Sequence, residues 1–146
     1  MSTNMGSSVH KKEEQKNTAN IVPDIIKKRI LAVDDDPLVL KTVHEFLKDE
    51  YNVAVARSGD SAYSFLEKKH VDLLLLDYEM PGEDGTAVLQ NIRRIPHCTS
   101  LPVIFLTGAN DVTIVAKIMM VNPQGYLLKP MDGEKLLAKI HDILER

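Results

Sequence analysis

Five short apolar runs, each followed by a segment of helical spacing, constrain the fold more than any other feature of this chain. The runs are Arg29–Asp34, Asn52–Ala56, Val71–Leu76, Leu101–Leu106 and Gly125–Leu128, and they read as strands. The segments after them, Leu38–Leu47, Ser58–Lys69, Thr86–Arg94, Asp111–Val121 and Asp132–Leu144, read as helices. Val71–Leu76 is almost continuously apolar, as a strand covered by helices on both faces must be. Regular alternation of this kind predicts a parallel sheet wound on both faces through right-handed connections. The expected class is therefore α/β: a five-stranded parallel sheet, doubly wound as (βα)5.

Local signals support the helices. Asp36-Pro37 reads as an N-cap followed by proline in the first turn, and Asp132 as the cap of the last helix. In the first helix Leu38, Val39, Val43, Phe46 and Leu47 lie near helical spacing, and in the second Ala62, Phe65 and Leu66 share a face. Met119, Met120 and Val121 are expected to pack at the end of the fourth helix. Pro123 cannot continue that helix, so it should stop near Val121.

Length allows one domain, since the chain has 146 residues and domains average roughly 150. Residues 1–28 stand apart: five lysines meet three acids there, whereas the remainder carries 13 basic and 18 acidic residues. They read as a flexible tail or linker before a domain at 29–146. Ile21, Val22, Ile25 and Ile26 are apolar enough to dock locally. A net charge of −3, no Trp and only 5% aromatic residues argue against a nucleic-acid surface. The single Cys98 excludes an intramolecular disulfide and a multi-cysteine zinc site. No apolar run approaches the ~18 residues of a membrane span, and no leader-like apolar stretch opens the chain. The expected setting is the cytoplasm, without membrane or nucleic-acid partners.

A ligand site in an open parallel sheet lies beyond the carboxyl ends of the strands. Asp34-Asp35-Asp36 follow the first strand, Asp77 the third, Thr107-Gly108 the fourth and Lys129-Pro130 the fifth. The second ends in Ala56-Arg57-Ser58, with nothing evidently reactive. Like charges ~4 Å apart at an effective dielectric near 20 repel by about 4 kcal/mol, so three carboxylates need a cation and Lys129 offsets only part. Hard oxygens without His or Cys favour Mg²⁺, or Mn²⁺ in its place, over zinc. The set reads as a phosphoryl-transfer site with an Asp nucleophile, a metal and Lys129 neutralising charge, and Thr107 donating a hydrogen bond. Taken singly, each piece has a plainer reading: Asp36 a helix cap, Asp77 and Thr107 turn residues, Lys129 a solvated charge.

Four stretches together, ILAVDDDP at 30–37, LLLLDYEMPGEDG at 73–85, PVIFLTG at 102–108 and GYLLKP at 125–130, resemble the receiver domain of two-component response regulators. The resemblance implies a flavodoxin-like receiver fold over the whole domain. It implies Asp77 as phosphoacceptor, taking a phosphoryl group from a phosphohistidine on a histidine kinase or histidine phosphotransfer protein. It further implies Asp34, Asp35, Asp77 and the backbone carbonyl of Glu79 as Mg²⁺ ligands, and Lys129 as the partner of the phosphoryl group. Thr107 and Tyr126 match the switch pair, and Pro130 a proline after a cis bond. Met80-Pro81 and Gly85 match the loop after the acceptor, while Glu79 and Ala109 flank the path of hydrolytic water. Without the resemblance, Tyr126 reads as a half-buried strand aromatic.

Such a domain is a signalling phosphoacceptor rather than a turnover enzyme. Its downstream protein, or a second copy in a homodimer, is expected on the face of the fourth helix, fifth strand and fifth helix. The unusual Asn122-Pro123-Gln124 bears on that face. Alternatives include a receiver-fold module working without phosphorylation and the receiver segment of a hybrid histidine kinase. His44-Glu45 suggests a phosphohistidine carrier, but the strands deny the four-helix scaffold that needs. No G-x-G-x-x-G or G-x-x-x-x-G-K-[ST] loop is present, which argues against a nucleotide enzyme.

Overall fold

The computed structural model describes residues 23–108 and 111–145. The expected tail up to Val22, and Ala109, lie outside the described residues. Strands β1 (Arg29–Val33), β2 (Asn52–Ala56), β3 (Leu73–Asp77), β4 (Val103–Thr107) and β5 (Gly125–Leu128) form one sheet. Its order is β2-β1-β3-β4-β5 and every pairing is parallel. Helices α1 (Pro37–Leu47), α2 (Gly59–Lys68), α3 (Gly85–Ile92), α4 (Val112–Met120) and α5 (Gly133–Leu144) alternate with the strands. The expected doubly wound class is the observed one.

The sheet carries a core on each face. On one, Leu31, Leu74, Leu76 and Phe105 meet Ala62 and Leu66 of α2, Val88, Leu89 and Ile92 of α3 and Ile118 of α4. On the other, Ile30, Leu73, Leu75 and Ile104 meet Leu40, Val43 and Leu47 of α1 and Leu136 and Ile140 of α5. All five residues of β3, and all five of β4, are buried. A fully buried Leu side chain contributes about 2 kcal/mol of transfer energy, so the four leucines of β3 anchor the sheet's centre.

Three strands differ from expectation in their bounds: β1 stops at Val33, one residue short of Asp34, and β3 and β4 are shifted, with consequences for the site. β3 begins at Leu73 rather than Val71, and β4 at Val103 rather than Leu101. Pro102 has no N–H to give to a ladder; its carbonyl accepts from Leu74 N at 2.9 Å instead. Both strands run one residue further at the other end. Asp77 pairs with Leu106, and Thr107 with Leu128, so both polar residues belong to the ladder rather than to turns.

Helix faces also differ from the spacing argument. Leu38 is 68% exposed and Leu40 takes its place in the core, because α1 meets the sheet along Leu40, Val43 and Leu47. Phe46 lies against Gly133 at the start of α5. Met119 and Met120 are 50% and 80% exposed; only Val121 of that trio packs on the core. Ile25 and Ile26 are exposed and do not dock. The caps are as expected: Asp36 accepts from Leu38 N, and Asp132 from Glu134 N and Lys135 N. Helix α4 ends before Val121, and Asn122 turns the chain with φ 54°, a left-handed conformation that Asn tolerates.

Candidate functional site

The register of the sheet assembles the site. β1 and β3 lie side by side, so the chain leaves them with Asp34 and Asp77 as neighbours. Both are almost wholly buried, at 1% and 3% exposure, and Asp35 is half-buried. One oxygen from each of Asp34, Asp35 and Asp77 lies within 4.8 Å of the others. Among the described residues this is the one group of three acidic, His or Cys side chains close enough to share a cation.

Lys129 leaves β5 and bridges two of the acids. Its Nζ is 2.6 Å from Asp34 Oδ2 and 3.1 Å from Asp77 Oδ1. Asp34 Oδ1 accepts from Asp36 N at 2.9 Å, and Asp77 Oδ1 accepts from Glu79 N at 3.3 Å. Burial, and then the Asp34 carboxylate, push the Asp77 carboxyl up to about 6, although Lys129 and the Glu79 amide pull the other way. Burial opposes the charge on Lys129, but its bonds to Asp34 and Asp77 prevail and hold it above its ordinary value. One ammonium therefore does not neutralise these acids. The surplus negative charge and the all-oxygen donor set fit a hard divalent cation such as Mg²⁺.

The remaining expected residues surround this cluster. Thr107 is fully buried at the end of β4, and its carbonyl accepts from Lys129 N at 2.8 Å. Tyr126 pairs with Phe105 on β5 and is partly buried against the same core as Phe105 and Ile118. The Lys129–Pro130 peptide bond is cis, as the resemblance implied. The Glu79 side chain is exposed, so its contribution at Asp77 runs through its backbone. His44 is exposed on α1 and lines no part of the acidic cluster.

Two further contributors lie off the strand ends: Arg57, passed over in the sequence, and Gly85, which the resemblance had matched to the loop. Arg57 donates from its NH2 to the Asp35 carbonyl at 3.1 Å, tying the end of β2 to the acidic loop. With Asp35, Met80, Pro81 and Glu83 it lines a cleft of about 400 Å³ beside the cluster. Gly85 packs against Asp77: a Cβ there would lie 2.5 Å from the Asp77 carbonyl oxygen and 2.9 Å from the Phe105 ring. Only a glycine lets α3 start so close to β3. The resemblance had already singled out Gly85, whereas Arg57 carried no signal in the sequence.

Comparison with known proteins agrees with this geometry. The response regulator receiver domain matches residues 30–141 of the chain. The transcriptional regulatory protein AfsQ1 of Streptomyces coelicolor is 33% identical over 117 residues, which is 80% of this chain and 51% of that protein. The chain spans about half the length of such curated relatives. Among solved structures, the chemotaxis protein CheY4 of Vibrio cholerae superposes with a TM-score of 0.76 at 27% identity, covering 81% of this chain and 99% of that one. The signal receiver domain of a histidine kinase from Syntrophus aciditrophicus gives 0.74 at 27% identity, over 81% and 90% of the two chains. A match that runs from β1 into α5, on a fold shared with solved receiver domains, makes this chain a member of the response regulator receiver domain family.

Proposed function

We propose that Asp77 accepts a phosphoryl group from a phosphohistidine of a histidine kinase or phosphotransfer protein. The observation that carries this reading is a buried carboxylate at a strand end, crowded by Asp34 and Asp35 and only partly relieved by Lys129. A carboxylate oxygen of Asp77 attacks phosphorus in line with the departing nitrogen. The P–N bond breaks, the O–P bond forms, and the imidazole leaves with a proton. Asp34, Asp35, Asp77 and the Glu79 carbonyl are the residues that would hold Mg²⁺. The ion would supply Lewis-acid neutralisation of the phosphoryl oxygens. Lys129, freed from its bridge between carboxylates, pairs with one phosphoryl oxygen, and the Thr107 hydroxyl donates to another.

An aspartyl phosphate carries more charge and more acceptor oxygens than a carboxylate. Drawing Thr107 toward it vacates space beside Tyr126, which turns inward and alters the face of α4, β5 and α5. Val112, Met119, Met120 and Leu128 are exposed apolar residues of these elements and their junctions, which suits docking of a downstream protein or a second copy. On this reading residues 29–146 are the working unit, 1–28 a tail or linker, and the domain a signalling module without turnover chemistry of its own. Among the described residues no helix is long and apolar enough to cross a membrane, which accords with a cytoplasmic setting. Similarity to a receiver domain of a histidine kinase keeps a place in a hybrid kinase as the second reading.

Intact-mass measurement with a small phosphodonor tests the proposal. The expected result is a Mg²⁺-dependent gain of one phosphoryl group that Asp77→Asn lacks. A folded protein that binds Mg²⁺ yet gains nothing would favour a phosphorylation-independent interaction module.

A further inference from the structure

The loop between β3 and α3, residues 78–84, follows the acceptor directly and gives it the Glu79 amide, yet little holds its middle. Gly82 is exposed with φ 84°, in a turn over Pro81 and Gly82, and among the described residues no side chain of 80–82 is hydrogen-bonded to a neighbouring element. Among the described residues of 79–83, only Glu83 has a side chain hydrogen-bonded to a helix. Its Oε1 accepts from Tyr63 OH of α2 at 3.1 Å, and its Oε2 from Asn91 Nδ2 of α3 at 3.2 Å. Asn91 Nδ2 also donates to Tyr63 OH at 3.0 Å, closing a triangle. Arg94 NH1 occupies Asn91 Oδ1 at 3.0 Å, which fixes the amide with its nitrogen toward the other two.

We propose that Tyr63, Glu83 and Asn91 form a latch that positions the acceptor loop, and through it the Glu79 backbone, against the acidic cluster. All three side chains are partly buried, so the bonds are shielded from competing water. The carboxylate also sits at the first turn of α2: a Cβ on the buried Gly59 would lie 2.7 Å from Glu83 Oε1. A helix amino end favours an anion there. Burial, with the nearby Glu83 charge, raises the Tyr63 phenol despite the opposing Asn91 bond, so the hydroxyl stays a donor. The latch thus ties two helices to one end of the loop. The other end is held by the Glu79 N–H on Asp77 Oδ1 and by Gly85 N on the Tyr78 carbonyl. These three are positioning residues, since none touches the acidic cluster.

The inference rests on the proposed Mg²⁺-dependent chemistry at Asp77 but has an arm independent of it. Hydrogen exchange of the metal-free chain is compared for wild type, Tyr63→Phe, Glu83→Ala and the double variant, and Mg²⁺ affinity is measured calorimetrically for each. Tyr63→Phe keeps the ring and removes one corner. The latch predicts exchange of residues 78–84 at least fivefold faster with β1 and β4 unchanged, and a three- to tenfold weaker Mg²⁺ Kd. It also predicts a double variant no worse than the stronger single one, because one broken corner already opens the triangle. Uniform acceleration across the fold, loop exchange that does not change, or faster loop exchange with a Mg²⁺ Kd within twofold of wild type would each overturn it. A wild type that binds no Mg²⁺ would refute the metal reading and with it the link from latch to site.

Discussion

The two ends of the sheet solve the burial of charge in opposite ways. At the amino end, charged and polar groups are paired off singly: Tyr51 OH donates to Glu145 Oε2 at 3.1 Å, His141 Nε2 lies 2.8 Å from Glu50 Oε1, and Lys28 Nζ donates to the Leu144 carbonyl. At the carboxyl end, two nearly buried carboxylates share one ammonium, and a third lies close by. The first arrangement ties the two termini of the domain together and stores nothing. The second keeps unrelieved repulsion in the resting state, which a cation or a phosphoryl group with its counter-charges can discharge. Removing a carboxylate from the crowded end should therefore stabilise the fold, whereas removing a partner from the paired end should cost stability.

Lys129→Met has the largest expected effect. It leaves Asp34 and Asp77 without their shared counter-charge, and removing one member of a largely buried pair costs about 3 kcal/mol. Chemical denaturation at pH 7 should show that loss in metal-free protein, and Mg²⁺ should restore more stability to the variant than it adds to wild type. Equal Mg²⁺ stabilisation of both would mean the lysine and the cation do not serve the same charge.

Asp77→Asn should go the other way. A carboxyl raised to about 6 from an unfolded value of 3.8 prefers its neutral form in the folded state. The cost of ionising it is absent below the unfolded value, grows as pH rises through this window and is complete above the folded value. Without metal, Asp77→Asn should be more stable than wild type by about 2 kcal/mol at pH 8, and the gap should close by pH 4. A gap independent of pH would remove the electrostatic account of the site. Gly85→Ala comes next: a Cβ 2.5 Å from the Asp77 carbonyl must displace backbone, costing about 1.5 kcal/mol. It should also slow phosphorylation, whereas wild-type rates would mean α3 can shift without moving the acceptor.

The sequence made the strands and the reactive residues legible for one reason. A polar residue ending an apolar run is conspicuous, and the parallel topology turns run ends into neighbours in space. Asp34, Asp77, Thr107 and Lys129 could be gathered that way before any contact was known. Their ladder positions could not, because the pattern does not reveal that Pro102 is excluded from β4 or that Asp77 and Thr107 close their strands. Helix faces were read less well. Leu38 and Leu40 differ only in which of two rows meets the sheet, and Met119 and Met120 are apolar residues left exposed on α4. The Tyr63–Glu83–Asn91 triangle spans separations of 20 and 28 residues with no period behind it, so it emerges only once α2 and α3 are placed.

The smallest effect belongs to the amino end, and its pH dependence separates it from the site. Tyr51→Phe removes a hydroxyl that donates to Glu145, a loss of about 1 kcal/mol at pH 7. Burial, and then Glu145, hold the Tyr51 phenol above its ordinary value of 10. The unfolded chain therefore ionises first, and wild type loses stability as pH rises beyond 10. Phenylalanine has no proton to lose, so the deficit of the variant should shrink there, whereas the gap of Asp77→Asn varies between pH 4 and 8. Phosphorylation of Tyr51→Phe should match wild type, since the hydroxyl lies at the other end of the sheet. An altered phosphorylation rate would show that the paired end and the crowded end are coupled through the strands between them.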